Sequence, residues 1–113
     1  MFDLENGYVL KVAINDWGMK SNKQEYKLFF NSPSLIQKHL CPVIEFGYGW
    51  IIMKKMIQMI PLDQEYDIKI AQFIKLFMEN GIEPKDIKDK NLALSENGEL
   101  VAVDYGNFTV IKD

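Results

Sequence analysis

The chain holds one cysteine, Cys41, and one histidine, His39. A lone cysteine excludes an intrachain disulfide and a cysteine-rich metal site, and a lone histidine excludes a multi-histidine metal site. This cysteine usage points to a reducing, cytoplasmic setting. His39 reads as a surface or loop residue rather than a catalyst. No apolar run is long enough to cross a bilayer, so no membrane partner is expected. The N-terminus lacks a basic flank followed by an apolar region, which argues against a signal peptide. No basic stripe is present, and the net charge of -3 would repel a phosphate backbone, so nucleic acid is not an expected partner either.

What is there fits one small globular domain. The 113 residues are 48% apolar and 26% charged, with both signs interleaved. No repeat, low-complexity tract or flexible linker breaks the chain. Residues 2 to 14 read as two short strands around Glu5-Asn6-Gly7, and Lys11 sits inside the apolar run of the second. Lys11 suits an edge strand from which its ammonium snorkels to water. Asn15 to Lys20 reads as a loop. Ser21 and Gln24 fit a capping box that opens a helix to about Phe30, which Asn31-Ser32-Pro33 ends. Glu25 would then lie in the first turn, where a carboxylate favours the helix dipole. Ser34 to Leu40 is a short helical turn. Val43 to Phe46 and Trp50 to Met53 form a hairpin across Gly47-Tyr48-Gly49, with Trp50 and Met53 as core residues. Asp63 is a fair N-cap for a long helix from Gln64 to Asn80, ended by Gly81. Tyr66, Ile70, Phe73, Ile74 and Phe77 form its buried stripe.

The most informative stretch runs from Asp86 to Gly106. Asn97-Gly98 is a two-residue type I′ turn signal, flanked by apolar strands at Leu92 to Leu94 and Leu100 to Val103. Pairing those strands brings Asn91 and Asp104 together at their outer ends, with Asp86 one short loop away. Two carboxylates and an amide oxygen converge there. Mg²⁺ is commonly held by one or two carboxylates plus substrate phosphates.

This stretch resembles the catalytic core of the protein kinase-like family, with its Asp-x-Lys-x-x-Asn loop, short hairpin and Asp-Phe-Gly. The resemblance makes Asp86 the catalytic base and Lys88 the catalytic-loop lysine. It makes Asn91 and Asp104 the Mg²⁺ ligands, with Asp104-Tyr105-Gly106 in place of Asp-Phe-Gly. Pro84-Lys85 stands where the family has His-Arg, so the charge is kept and the histidine is lost. Upstream, the resemblance makes Lys11 the ATP-phosphate lysine and Glu25 its helix partner, with Glu45 as the alternative. It puts Met53 at the back of the nucleotide pocket and Lys54-Lys55-Met56 at a hinge. The implied fold is α+β: a small antiparallel sheet with one helix in residues 1–56, then a long helix and a C-terminal β-hairpin in residues 57–113. Lys11, Asp86, Asn91 and Asp104 would line one cleft between the sheet and the long helix.

Two pieces of a working kinase are not expected. The ten residues before Lys11 hold no Gly-rich loop, and the seven after Gly106 hold no activation segment. The first function this implies is a non-catalytic binding or inhibitory module docking on a protein partner. Exposed aromatics such as Trp17 or Tyr48 would then carry the interface energy. Very short kinase-like proteins of this kind resemble those encoded by bacteriophages, with a host or viral protein as partner. The second is a reduced phosphotransferase using ATP and Mg²⁺. A small α+β protein unrelated to kinases is the third possibility.

Overall fold

The computed structural model describes residues 2–56, 60, 64–87 and 91–111. The chain is a small mixed α/β protein with antiparallel sheets. Strands β1 (Phe2–Asp3), β2 (Tyr8–Val12), β3 (Val43–Gly47) and β4 (Trp50–Lys54) form one sheet in the order β1-β2-β4-β3. β2 is therefore an inner strand, with Lys11 opposite Ile51. β1 covers β2 only at Val9 and Leu10, so at Lys11 the strand is paired on the β4 side alone. Yet the lysine does not snorkel to water, its side chain being only 18% exposed.

Helix α1 (Asp16–Asn31) packs on this sheet. It starts earlier than the Ser21 capping box would place it. The Asn15 side chain accepts from Gly18 N–H at 2.8 Å, and Asp16 adds a carboxylate to the first turn. Gly18, which reads as a loop residue, is helical. A side chain there would press against Ala13, 3.4 Å away. The longer helix moves Glu25 out of the first turn and into the middle, where it has no dipole role. The helix α2 (Ser34–Gln37) follows, and the chain then runs beside the C-terminal hairpin.

Helix α3 (Gln64–Glu79) buries Phe73 and Phe77, stacked 4.4 Å apart. Ile74 is exposed rather than part of the stripe, while Tyr66 and Ile70 are partly buried. The proposed N-cap, Asp63, lies outside the described residues. His39 lies in the turn after α2, a loop histidine as expected, but half-buried rather than on the open surface. Its ring meets Phe73 and Phe77 edge-on, and its Nδ1 lies 2.7 Å from the Leu100 carbonyl.

Strand β5 (Ile82–Glu83) pairs with β8 (Thr109–Val110). Strands β6 (Leu92–Leu94) and β7 (Leu100–Ala102) form the expected hairpin. Its turn is not type I′, because Asn97 does not take a positive φ. Gly98 N–H bonds to Ser95 O, Gly98 sits at φ +79, and Ser95 N–H bonds to Glu99 O. That is the three-residue loop with an αL glycine. On its other side β7 is held by the 39–41 segment, through Cys41 N–H to Ala102 O and Ala102 N–H to His39 O, both 2.8 Å. Tyr105 and Phe108 are buried among Phe77, Ile36 and Leu40, so the residues after β7 belong to the core. Among the described residues no helix is long and apolar enough to cross a membrane.

Candidate functional site

Glu25 joins three parts of the chain. It is 1% exposed, in the middle of α1, one turn after buried Asn22 and one before Leu28. Lys11 Nζ reaches both its carboxylate oxygens, at 3.2 and 3.1 Å. The Lys11 side chain is itself only 18% exposed. From the other side, Tyr105 N–H donates to Glu25 Oε2 at 3.3 Å. One carboxylate thus ties the sheet, the helix and the Asp104-Tyr105-Gly106 segment together. The alternative partner, Glu45, is exposed on β3. Burial pushes the Glu25 carboxyl above its ordinary range, and Lys11 opposes that rise most strongly. Asp104 adds a smaller upward push, which places it within electrostatic reach.

Lys11, Glu25 and Asp104 line one cleft of about 310 Å³, together with Ser21 and Asn22. Asp104 is exposed there. Asn22 Nδ2 is a buried donor with no partner among the described residues. The cleft lies between β2, α1 and Asp104, not against α3.

Asp86 and Asn91 are not on this lining. They form their own cluster one step away. Val103 N–H donates to Asn91 O at 3.0 Å, which sets Asn91 beside the residue that precedes Asp104. Asn91 Nδ2 donates to Asp86 O at 2.8 Å, so its Oδ1 is not used in that bond. Asp86 is exposed, sits at φ +54, and accepts from Asn107 Nδ2 at 2.6 Å. A non-glycine residue in the left-handed region is held there by its surroundings. Lys88 lies outside the described residues. Met53 is fully buried in β4, opposite Val9 and Val43, and does not line the cleft. Of the expected hinge, Lys55 N–H bonds to Gly7 O at 2.8 Å and its ammonium to Asp3, pinning the end of β4 to the β1–β2 turn.

Sequence reasoning missed Asn22 and Asn107. Asn22 is legible only once the helix is known to start at Asp16. Nothing in the sequence signals that Asn107 holds Asp86.

Among the described residues no three metal-ligating side chains cluster. A metal here would rest on one or two protein oxygens plus oxygens of a ligand, the pattern Mg²⁺ takes with nucleotides.

No family model and no curated protein sequence matches this chain. Its fold is similar to solved structures of WbdD. A 2.2 Å crystal structure of WbdD matches with a TM-score of 0.72 and 14% identity, over 95% of this chain and 30% of that one. A medium-resolution structure, described as the bifunctional kinase-methyltransferase WbdD, matches at 0.69 and 13%, over 95% and 29%. A co-crystal of WbdD with the kinase inhibitor LY294002 matches at 0.69 and 14%, over 94% and 30%. The chain spans about 30% of the length of the proteins it matches. At this identity the likeness is one of fold, and that fold is a distant kinase-like one.

Proposed function

We propose that this chain is a kinase-like module that binds the phosphate end of a nucleoside triphosphate with a divalent cation. The observation that carries this reading is the Lys11–Glu25–Tyr105 linkage, which sets an ammonium and the Asp104 carboxylate on one cleft. Lys11 would face the phosphates. Asp104, with Asn91 Oδ1, would face the cation, which supplies charge neutralisation to the phosphate oxygens when bound. The donor set on the cleft fits: one exposed carboxylate, one ammonium and an unpartnered amide donor at Asn22, with the Asn91 amide oxygen beside the lining. The cleft volume suits phosphates rather than a whole nucleotide, and buried Met53 opens no pocket for a base. That WbdD was crystallised with a kinase inhibitor supports a nucleotide ligand for this fold. Asp86, held by Asn107 outside the cleft, would act as a base only if substrate reached it there.

The test is a thermal melt with ATP and Mg²⁺, because a ligand that binds only the folded state raises the melting temperature. The wild type should shift upward, and Asp104→Asn should not. No shift with either protein would sink the reading. Magnesium-dependent ATP turnover, abolished by both Asp86→Ala and Asp104→Ala, would extend it to phosphoryl transfer.

Docking on a protein partner is a second reading, favoured by a separate observation. Ile14, Trp17 and Tyr48 are 91%, 81% and 90% exposed. Ala13 N–H bonds to Gly49 O at 2.7 Å, so these three side chains share one end of the molecule. Large apolar side chains grouped in water mark interaction surfaces.

A further inference from the structure

We infer that the groove between α1 and β8 takes an extended, acidic segment of a protein partner. This rests on the docking reading and gives it a place and a chemistry.

The groove measures about 1210 Å³ and borders the Lys11 cleft at Gly18 and Ser21, which line both. Its apolar floor includes Leu28, Ile82 and Phe108, all buried, and Trp17 stands exposed at one end. Lys20, Lys27 and Lys85 line it, and no aspartate or glutamate does. The whole chain carries a net charge of -3, so the groove is a local reversal of sign. Lys11, Lys38, Lys55, Lys69 and Lys75 each have a carboxylate partner. Lys20, Lys27 and Lys85 have none among the described residues, like Lys23 and Lys54 elsewhere, and all three are exposed; what sets them apart is that they gather on one groove. Unpaired ammonium groups around an apolar floor complement a chain that alternates carboxylates with apolar side chains.

The backbone favours an extended occupant. Ile111 N–H bonds to Gly81 O at 2.7 Å, and Val110 stands opposite Ile82. Bonded and non-bonded pairs alternate along an antiparallel ladder, so the N–H and C=O of Val110 point away from β5. Gln24 Nε2 already takes the Phe108 carbonyl at 2.7 Å, which closes the ladder at that end. Val110 lines the groove and offers its free edge to an added strand.

The intact chain would be panned against a display library of short random peptides, and the selected peptides measured by fluorescence anisotropy. Peptides rich in Asp and Glu are expected, with binding that weakens as salt rises. Their affinity should fall about tenfold or more in the triple variant Lys20→Glu, Lys27→Glu, Lys85→Glu, because like charges now face each other. It should survive Ile44→Ser with Ile68→Ser, two exposed residues outside the groove. The milder Lys→Gln triple variant serves if charge reversal disturbs the fold, checked by circular dichroism. Peptides without an acidic bias, or affinity unchanged in the lysine variants, would overturn the groove. Loss confined to an Ile14→Ser, Tyr48→Ser variant, with the lysine variants unaffected, would overturn the groove while leaving the docking reading standing. If no peptide is selected, both fall.

Discussion

Glu25 is a carboxylate taken out of water in the middle of a helix, and its consequences are measurable residue by residue. Its folded-state pKa is raised above the ordinary 4.5. The folded state therefore holds that proton more tightly than the unfolded chain. This favours the fold fully below the ordinary glutamate range and is lost as pH rises through the raised value. Lys11 is the main opposing influence. Lys11→Met should destabilise the protein by ~3–5 kcal/mol, the usual cost of stripping one partner from a buried pair. The deficit should widen from acid toward neutral pH, as read by melts of both proteins across that range. A deficit that does not change with pH would mean that Glu25 is not held by Lys11. Tyr105 gives a second test. Its hydroxyl donates to Cys41 O at 2.7 Å, and burial pushes its pKa up. Tyr105→Phe leaves that buried carbonyl without its partner and should cost ~1–3 kcal/mol in urea unfolding. Cys41 is buried, donates its S–H to Lys54 O at 3.0 Å, and has its pKa pushed up to about 12. It should resist iodoacetamide in the native protein and react once the chain is unfolded, because the thiolate is the nucleophile.

At the scale of elements, the turn after Asp104 is set by how closely it meets α1. A side-chain carbon on Gly106 would lie 1.9 Å from Ser21 Oγ and 2.7 Å from the Ser21 backbone oxygen. Gly106→Ala should therefore cost ~1–3 kcal/mol, as overpacking does. Adding Ser21→Ala should recover only part of it, because the backbone oxygen remains. Full recovery would place the clash in the Ser21 side chain alone. Gly98 differs in kind: it has open space but φ +79. Gly98→Ala should cost ~1–2 kcal/mol through the left-handed backbone alone. These elements show what the sequence could and could not carry. The strands around Lys11, the β3–β4 hairpin, α3 and the β6–β7 hairpin were legible, because alternation, turn residues and helical spacing are local signals. The start of α1 was misread, because Gly18 looked like a loop residue and hid the better cap at Asn15. The turn type at Asn97-Gly98 was misread too, since one αL residue suffices there. The pairing of Asp86 with Asn107, and the turning of Lys11 from water to Glu25, depend on tertiary contacts that no local pattern encodes.

At the scale of the whole molecule, a four-stranded sheet with α1 and a helix-plus-hairpin half meet through Glu25 and Tyr105. Lys11, Glu25 and Asp104 were each picked out by the resemblance to the kinase-like family, Lys11 and Glu25 by nothing in their local pattern alone, and the fold brings them to one cleft. Asp86 and Asn91 stand beside it rather than in it, which is why we propose phosphate and metal binding ahead of catalysis. The most direct measurement is isothermal titration of the purified chain with ATP, with and without Mg²⁺, alongside Lys11→Met and Asp104→Asn. Binding that needs Mg²⁺ and weakens about tenfold or more in each variant, a loss of roughly 1.4 kcal/mol or more, is the expected result. No heat of binding in the wild type, or the same Kd in all three proteins, would contradict a phosphate site built on Lys11 and Asp104.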